Sequence, residues 1–113
     1  MTSQGTARGR FQKALERRNL FQMELAIREM GSLSLLDALD YLDLLSEAGS
    51  PKIARAAIRW HGRLETEAAV LTLGESQLAL SAVAALCAGE RDALKILRRV
   101  LRRAKPTLLP RVG

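Results

Sequence analysis

The sequence predicts an all-α fold of five to six short helices, arranged either as stacked antiparallel helical hairpins (an α-solenoid fragment) or as a compact helical bundle. Three observations predict it. Apolar residues make up 48% of the 113 residues but aromatic residues only 4%, so leucine and alanine, both strong helix formers, must build the core. Apolar positions recur three and four residues apart, the spacing of a buried helix face. We find no bounded alternation of apolar and polar residues that would predict a strand.

The first two helices are predicted around a break at the sequence RRN. The stretch RGRFQKALERR has apolar residues on one face, and a second apolar stripe starts at Leu20. Asn19 with Gln22 three residues later resembles a capping box, so we expect a helix to begin there and to end at Gly31. One kinked helix over 8–30 is the alternative.

Two further helices are expected between residues 33 and 66. Ser34 is a suitable cap for the third helix, and Gly49 is a suitable end. Ser50 and Pro51 predict the start of the fourth helix, with serine at the cap and proline at the first helical position. This helix is expected to run to about Thr66.

Capping signals also define the last two helices. Thr72 and Glu75 form a capping box for the fifth helix, and Gly89 is expected to end it. The sixth helix is expected over 90–104, with Pro106 preventing its continuation.

Part of the chain repeats, which bears on how the helices are arranged. The sequence LSLLDAL over 33–39 aligns with LTLGESQ over 71–77. Each unit reads as a helix, a short turn and a second helix, and the period is close to that of helical-hairpin repeats. With 8–31 as a first hairpin, the pattern predicts three stacked hairpins, but a closed bundle of five or six helices satisfies it equally.

Charge is distributed unevenly along a chain whose net charge is +6. The third helix carries an acidic stripe and the fourth a basic stripe, and an antiparallel hairpin would bring them to matching heights. Such pairs would be partly exposed and worth about 0–1 kcal/mol each. Two separately solvated faces are the alternative. The pairs expected on a hairpin are Glu47–Lys52, Asp43–Arg55, Asp40–Arg59 and Asp37–Arg63.

The sequence ILRRVLRRAKP, residues 96–106, is the most charged part of the chain. Acidic residues precede it at Glu90 and Asp92, so the charges complement the helix dipole at both ends. Its leucines, isoleucine and valine fill one side, and its cations fill the other. The cations are therefore explained as the solvated side of an amphipathic helix, and no binding role is required to place them.

Few residues offer catalytic or metal-binding chemistry. His61 is the only histidine and Cys87 the only cysteine, whereas a nucleophile pair needs an orienting third group and a structural metal site needs several such ligands at short spacing. Asp37, Asp40 and Asp43 lie on a helix, without the loop of a calcium site. We predict no catalytic residue, no metal site, no cofactor and no small-molecule substrate.

The fifth helix is apolar nearly all round. Between Leu78 and Cys87 only Ser81 is polar, so we expect this helix to be buried on most sides. A central position in the domain would achieve this, and so would a homodimer interface over 78–87. The run is too short for a membrane span, and the N-terminus has no stretch of signal-peptide type, so we expect a cytoplasmic protein without a membrane partner.

Several segments resemble a family of short all-helical proteins of unknown function that are common in actinomycete genomes. They are LERRNLFQMELAIREMGSLSLLDAL over 15–39, ARAAIRW over 54–60 and LTLGESQLALSAVAAL over 71–86. The resemblance covers roughly residues 10–103. It implies a helical fold and a cytoplasmic setting, and no activity. The helix-pair spacing is also similar to tetratricopeptide repeats, although their signature aromatic residues are missing.

These observations predict one helical domain over 8–105, after a disordered leader over 1–7 and before a tail over 106–113. In the tail, Leu108 and Leu109 either fold back on the core or serve as a short linear ligand.

We expect a non-enzymatic protein–protein interaction module that contacts an unknown partner through a basic surface formed by its fourth and sixth helices. Nucleic-acid binding through the same surface is the alternative, since phosphate neutralisation would explain the basic charge. The acidic third helix and the scarcity of aromatic residues argue against it. The predicted contact residues are Arg55, Arg59, Arg63, Arg98, Arg99, Arg102 and Arg103.

Overall fold

The structure is a computed structural model that describes residues 6–104, and this part of the chain folds into six helices without a strand. The all-α prediction is therefore confirmed. Residues 1–5 of the predicted leader and the predicted tail over 106–113 lie outside the described residues. The helices are α1 (Ala7–Glu16), α2 (Leu20–Met30), α3 (Leu35–Ala48), α4 (Ile53–Glu67), α5 (Leu73–Cys87) and α6 (Ala93–Ala104).

The chain breaks between α1 and α2, as the sequence RRN predicts. Arg18 adopts a left-handed conformation with φ of 54°, which a helix does not accommodate. The Asn19 side chain then accepts a hydrogen bond of 3.1 Å from the N–H of Gln22, so α2 starts with its own cap. Two separate helices are present, and the alternative of one kinked helix is wrong.

α3 and α5 also begin at their predicted caps, where local hydrogen bonds fix the first turn. Ser34 accepts a hydrogen bond of 3.0 Å from the N–H of Asp37. Thr72 and Glu75 form the expected capping box, in which each side chain accepts from the other residue's N–H at 3.0 Å. Gly49 follows α3 in the left-handed conformation with φ of 64°, which glycine adopts without strain.

The predicted starts of α4 and α6 are wrong, since α4 begins two residues after Pro51 and α6 begins three residues after Glu90. The Ser50 hydroxyl accepts a bond of 3.1 Å from the N–H of Lys52, and the Ser50 carbonyl accepts from the N–H of Ile53 at 3.2 Å. These short-range bonds close a turn in front of α4, which therefore begins at Ile53. Similarly, the Glu90 carbonyl accepts from the N–H of Ala93, where α6 begins.

The four helices α3 to α6 form a closed ring. α3 packs on α4, α4 on α5, α5 on α6, and α6 returns to pack on α3. All four contribute to one apolar cluster, which includes Leu39, Trp60, Val83 and Leu97. A linear stack of hairpins would not bring the last helix back against α3, so the compact-bundle alternative describes this architecture.

The α1–α2 hairpin packs outside the ring against α3. Phe11 and Ala14 of α1 and Met23 and Ala26 of α2 form a second apolar cluster with Leu44. Since Leu44 points away from the ring's own cluster, α3 is covered on both sides. This makes α3 the central helix of the protein.

The expectation of a central position for α5 is wrong. α5 lies at a corner of the ring, where it contacts α4 and α6. It buries Ala79, Val83 and Leu86 but leaves Leu73 and Leu80 76% and 52% exposed. The apolar sequence of this helix therefore does not mean that the helix is buried on most sides.

Candidate partner-binding surface

None of the four charge pairs expected between α3 and α4 forms. The acidic stripe lies on the sides of α3 that face α1 and α6. Its partners come from those two helices, from the α1–α2 turn and from the turn before α6. The observed pairs of the stripe are Arg8–Asp37, Arg98–Asp40, Arg18–Asp43, Arg91–Asp43 and Arg18–Glu47. Lys52, immediately before α4, pairs instead with Glu24 of α2, and Arg63 of α4 pairs with Glu67 one turn along. The hairpin pairing is therefore wrong.

Asp43 is the best-connected member of this stripe. Its carboxylate accepts hydrogen bonds from Arg91 Nη2 at 2.7 Å and from Arg18 Nη1 at 3.2 Å. Burial disfavours its charge, but the bonds from the two guanidinium groups outweigh this effect, so the pKa of Asp43 is lowered. The negative charge of α3 is thus matched internally and contributes little to the outer surface.

For Asp40, one turn away, burial has a larger effect on the carboxylate than its ion pair does. Burial raises the pKa of Asp40, even though Arg98 Nη2 donates to its carboxylate at 3.0 Å. Here a single ion pair does not fully offset desolvation.

The seven arginines predicted to contact a partner do not form one surface. Three belong to α4 and four to α6, and these two helices occupy opposite corners of the ring, each flanked by α3 and α5. The expectation that two basic helices form one side of the protein is therefore wrong. The closure of α6 onto α3 is the physical reason, since an open stack would have placed α4 and α6 on the same side.

The arginines also differ in whether their charge is already matched. Arg55, Arg59, Arg99 and Arg102 are exposed, and none has a carboxylate within 4.0 Å among residues 6–104. These four offer unmatched charge to a partner. The other three have partners within the chain: Arg63 with Glu67 at 2.7 Å, Arg98 with Asp40 at 3.0 Å, and Arg103 with Glu75 at 2.9 Å.

A groove of about 520 Å³ runs between the end of α2 and α4. Ala38 and Tyr41 of α3, with Ala56 of α4, lie along its floor. Arg59 and Arg63 stand on the α4 wall. The remaining lining residues are Ile27, Gly31, Ser32, Leu33, Leu42, Trp60 and Glu67. The groove combines an apolar floor with the unmatched Arg59, while Glu67, which also lines it, balances the charge of Arg63.

The surface continues along α4 beyond the groove. Arg55 and Arg59 line an adjoining depression with Tyr41, Ala56 and Ile58. Ile58 is 70% exposed and adds apolar surface beside the two arginines. The α4 half of the predicted contact residues therefore lies along one continuous surface.

Tyr41 positions the floor of the groove, and sequence reasoning missed it. Its hydroxyl donates to Glu24 of α2 at 2.8 Å, and Glu24 also accepts from Lys52, the residue before α4, at 3.1 Å. These bonds tie α2, α3 and α4 together along the groove. Tyr41 lies three residues after Ala38 and so shares its helix face, which is the signal that could have identified it.

His61 and Ser76 lie together without forming a nucleophilic pair. His61 Nε2 is 3.0 Å from the Ser76 carbonyl oxygen, so this nitrogen carries the proton and cannot accept one from the serine. The Ser76 hydroxyl instead donates to the carboxylate of Glu65. The contacts act as a tie between α4 and α5.

Other chemistry is sparse in the described part of the chain. Cys87 is exposed as a residue, but partial burial of its thiol raises the pKa of that group, which disfavours the reactive thiolate. Within residues 6–104, no three His, Cys, Asp or Glu side chains are grouped so that they could hold a metal ion. The aspartates of α3 face arginines instead.

Comparisons with known proteins return no match to this chain, whether with family models, with curated proteins or with solved structures. The resemblance to actinomycete helical proteins stays a prediction. Among the described residues, no helix has the length and apolar character needed to cross a membrane.

Proposed function

We propose that the chain is a non-enzymatic interaction module that binds another protein, and that the groove between α2 and α4 receives a partner segment with apolar and acidic residues. One observation carries this proposal: unmatched Arg59, with Arg55 beside it, borders an apolar floor formed by Ala38, Tyr41 and Ala56. We also propose a cytoplasmic location, because Cys87 is the only cysteine and free thiols are kept reduced in that compartment.

The two components of the groove have different roles in binding. The apolar floor favours burial of leucine-like side chains, at about 25 cal/mol per Å² of apolar surface removed from water. The arginines lie at the rim, where charge pairs contribute mainly to the rate of association and to the choice of partner. An amphipathic helix with an acidic edge would fit both the apolar floor and the arginines at the rim. Amphipathic helices bind hydrophobic grooves of other proteins in this way.

Peptide titration with matched charge variants tests this proposal. The probe is a designed helical peptide of leucine and glutamate, followed by amide shifts in NMR spectra, and its control is the same peptide with lysine in place of glutamate. We expect the acidic peptide alone to shift the amides of Ala38, Tyr41 and Ala56. Arg55→Gln/Arg59→Gln should weaken it about fivefold to tenfold, equivalent to about 1–1.4 kcal/mol.

The matched control is Arg99→Gln/Arg102→Gln on α6, which removes the same charge at the opposite corner of the ring. This pair should leave the affinity of the acidic peptide within about twofold. Equal weakening by both pairs, or shifts outside the groove, would contradict the proposal. A pull-down from the source cell that recovers no protein with the wild type would also count against it.

Nucleic-acid binding is the second candidate, and the charge pairing in α3 is the observation that favours it. Because arginines neutralise Asp37, Asp40 and Asp43 within the fold, the acidic helix no longer argues against a polyanion. Labelled duplex and single-stranded DNA should be titrated at two salt concentrations. Micromolar binding that falls steeply with salt, and that both arginine pairs weaken alike, would favour this function over the groove.

A further inference from the structure

The outward face of α5 is uncharged. From Ser76 to Gly89 the sequence has no charged residue. Leu73, Leu78 and Leu80 are 76%, 48% and 52% exposed along this helix. Leu73, Leu80, Ala84 and Ala88 share the outward side with the uncharged Gln77 and Ser81, whereas Leu78 lies on the flank towards α6. An exposed, largely apolar helix face without charge is typical of an interaction site.

We propose that a second copy of the chain covers this face, with the two α5 helices antiparallel about a twofold axis near Leu80 and Ser81. Charge favours this occupant. Each chain carries +6, so self-association costs least where a surface has no cation, and a strongly acidic partner would find no cation here to pair with. The face is therefore suited to a neutral surface like itself.

The sizes of the outward side chains are also complementary to a reversed copy of themselves. The first half of the face carries long side chains and the second half carries small ones, spaced three and four residues apart. An antiparallel pair sets each long side chain against a small one, which allows the close packing that helix pairs require, whereas a parallel pair would oppose leucine to leucine. The facing residues are Leu73 with Ala88, Gln77 with Ala84, and Leu80 with Ser81 of the second copy.

The dimensions predict a weak dimer. α5 has 15 residues and is therefore only about 22 Å long. A contact made by this helix and the edges of its neighbours falls at the small end of specific interfaces, about 1,200 Å² in total. Association is thus expected at micromolar or higher concentration.

Molar mass in solution tests the proposal. Sedimentation velocity should cover about 10 to 500 µM, because a small interface is expected to associate at micromolar or higher concentration. Over this range the apparent mass of the wild type should rise from 12.4 kDa toward twice that value. Leu80→Glu and Leu80→Lys should each stay monomeric, because equal charges would meet near the twofold axis. Phe21→Glu on α2 is the control, since Phe21 is 67% exposed but distant from α5, and it should dimerise like the wild type.

Mixing the two Leu80 variants makes the test specific to a second copy. Glutamate and lysine then face each other across the axis, so the mixture should regain the dimer. Arg55→Gln/Arg59→Gln should dimerise normally, which separates this proposal from the groove. A wild type that stays monomeric throughout, a Leu80→Glu variant that dimerises, or a mixture that does not recover would each overturn it.

Disulfide formation tests the antiparallel direction independently. Cys87 lies at the end of α5, so in this arrangement the two copies of Cys87 are about 20 Å apart, beyond the reach of a disulfide. Oxidation of the wild type should give no covalent dimer. Ser81→Cys in a Cys87→Ser background should give one, because position 81 lies near the axis. Efficient crosslinking through Cys87 would overturn the antiparallel arrangement.

Discussion

Asp43 joins α3 to two other parts of the chain, and Asp43→Asn should lower the free energy of unfolding by about 2 kcal/mol. The carboxylate is bound by Arg91 at 2.7 Å and by Arg18 at 3.1 Å. A hydrogen bond to a charged group contributes about 1.5–3 kcal/mol. The two arginine side chains are 43% and 36% exposed and regain water when released. Each bond is therefore expected to contribute about 1 kcal/mol, which gives about 2 kcal/mol for both.

Urea unfolding followed by circular dichroism measures this loss. Glu47→Gln is the matched control, since Glu47 also binds Arg18, at 2.9 Å, but is itself 43% exposed. It should cost no more than about 1 kcal/mol, as exposed pairs do. An Asp43→Asn loss below about 0.5 kcal/mol, or a loss equal to that of Glu47→Gln, would refute the reasoning, because burial of the shared carboxylate would then carry no weight.

The pH dependence of the same difference gives a second check. The pKa of Asp43 is lowered in the folded protein because the bonds from Arg18 and Arg91 outweigh its burial. Its stabilisation is therefore fully present above the ordinary pKa, about 3.9, and is lost as the pH falls through the lower folded value. The gap between wild type and Asp43→Asn should be constant from pH 7 to 5 and should shrink below about pH 4. A gap that persists under strong acid would contradict this account.

Three further substitutions probe neighbouring parts of the fold. Asp40→Asn should cost less than about 1 kcal/mol in urea unfolding at pH 7, because burial raises the pKa of Asp40 despite its bond from Arg98 and the charge is already disfavoured. Trp60→Phe should cost about 2 kcal/mol, measured by thermal melting, because the buried indole N–H donates to the Leu35 carbonyl at 2.9 Å. Thr72→Ala should cost about 1 kcal/mol in the same melt, through loss of the cap of α5.

The start of a helix was predictable from the sequence where it depends on one hydrogen bond between a capping side chain and a nearby backbone N–H. The caps at Asn19, Ser34 and Thr72 each bond a residue three positions on, and this spacing is visible in the sequence. Ser50 also bonds a nearby N–H, but to Lys52, two positions on. The same residue type thus serves a cap or a turn, and the geometry of the following residues decides which.

The arrangement of the helices was less predictable, because it depends on rotation about each helix axis. Matching heights of Asp40 and Arg59 are compatible with a hairpin, but they do not tell whether the two stripes face each other. In the structure Asp40 faces Arg98, 58 residues away. Closure of α6 onto α3 has the same origin, since the apolar stripe of α6 would pack equally well in a stack or in a ring.

The proposed contact surface depends on the same tertiary packing, so the sequence indicated only part of it. Arg55 and Arg59 were identified because they form a stripe on one helix. The floor beside Arg59 is formed by Ala38 and Tyr41 of α3 with Ala56 of α4, and the proximity of these residues follows from tertiary packing. The arginines of α6 were assigned to the same surface only because α6 was expected beside α4.

The positions of the two proposed surfaces have a consequence for binding strength. The groove lies on the side of α4 that faces α3, whereas the outward face of α5 lies beyond the other side of α4. A second copy on α5 therefore leaves the groove open, and a twofold dimer presents two grooves. A partner with two suitable segments would then bind more tightly than one segment alone, because the second contact is intramolecular. Dimerisation through the uncharged face of α5 would in this way strengthen binding at the groove beside α4, although the two surfaces share no contact.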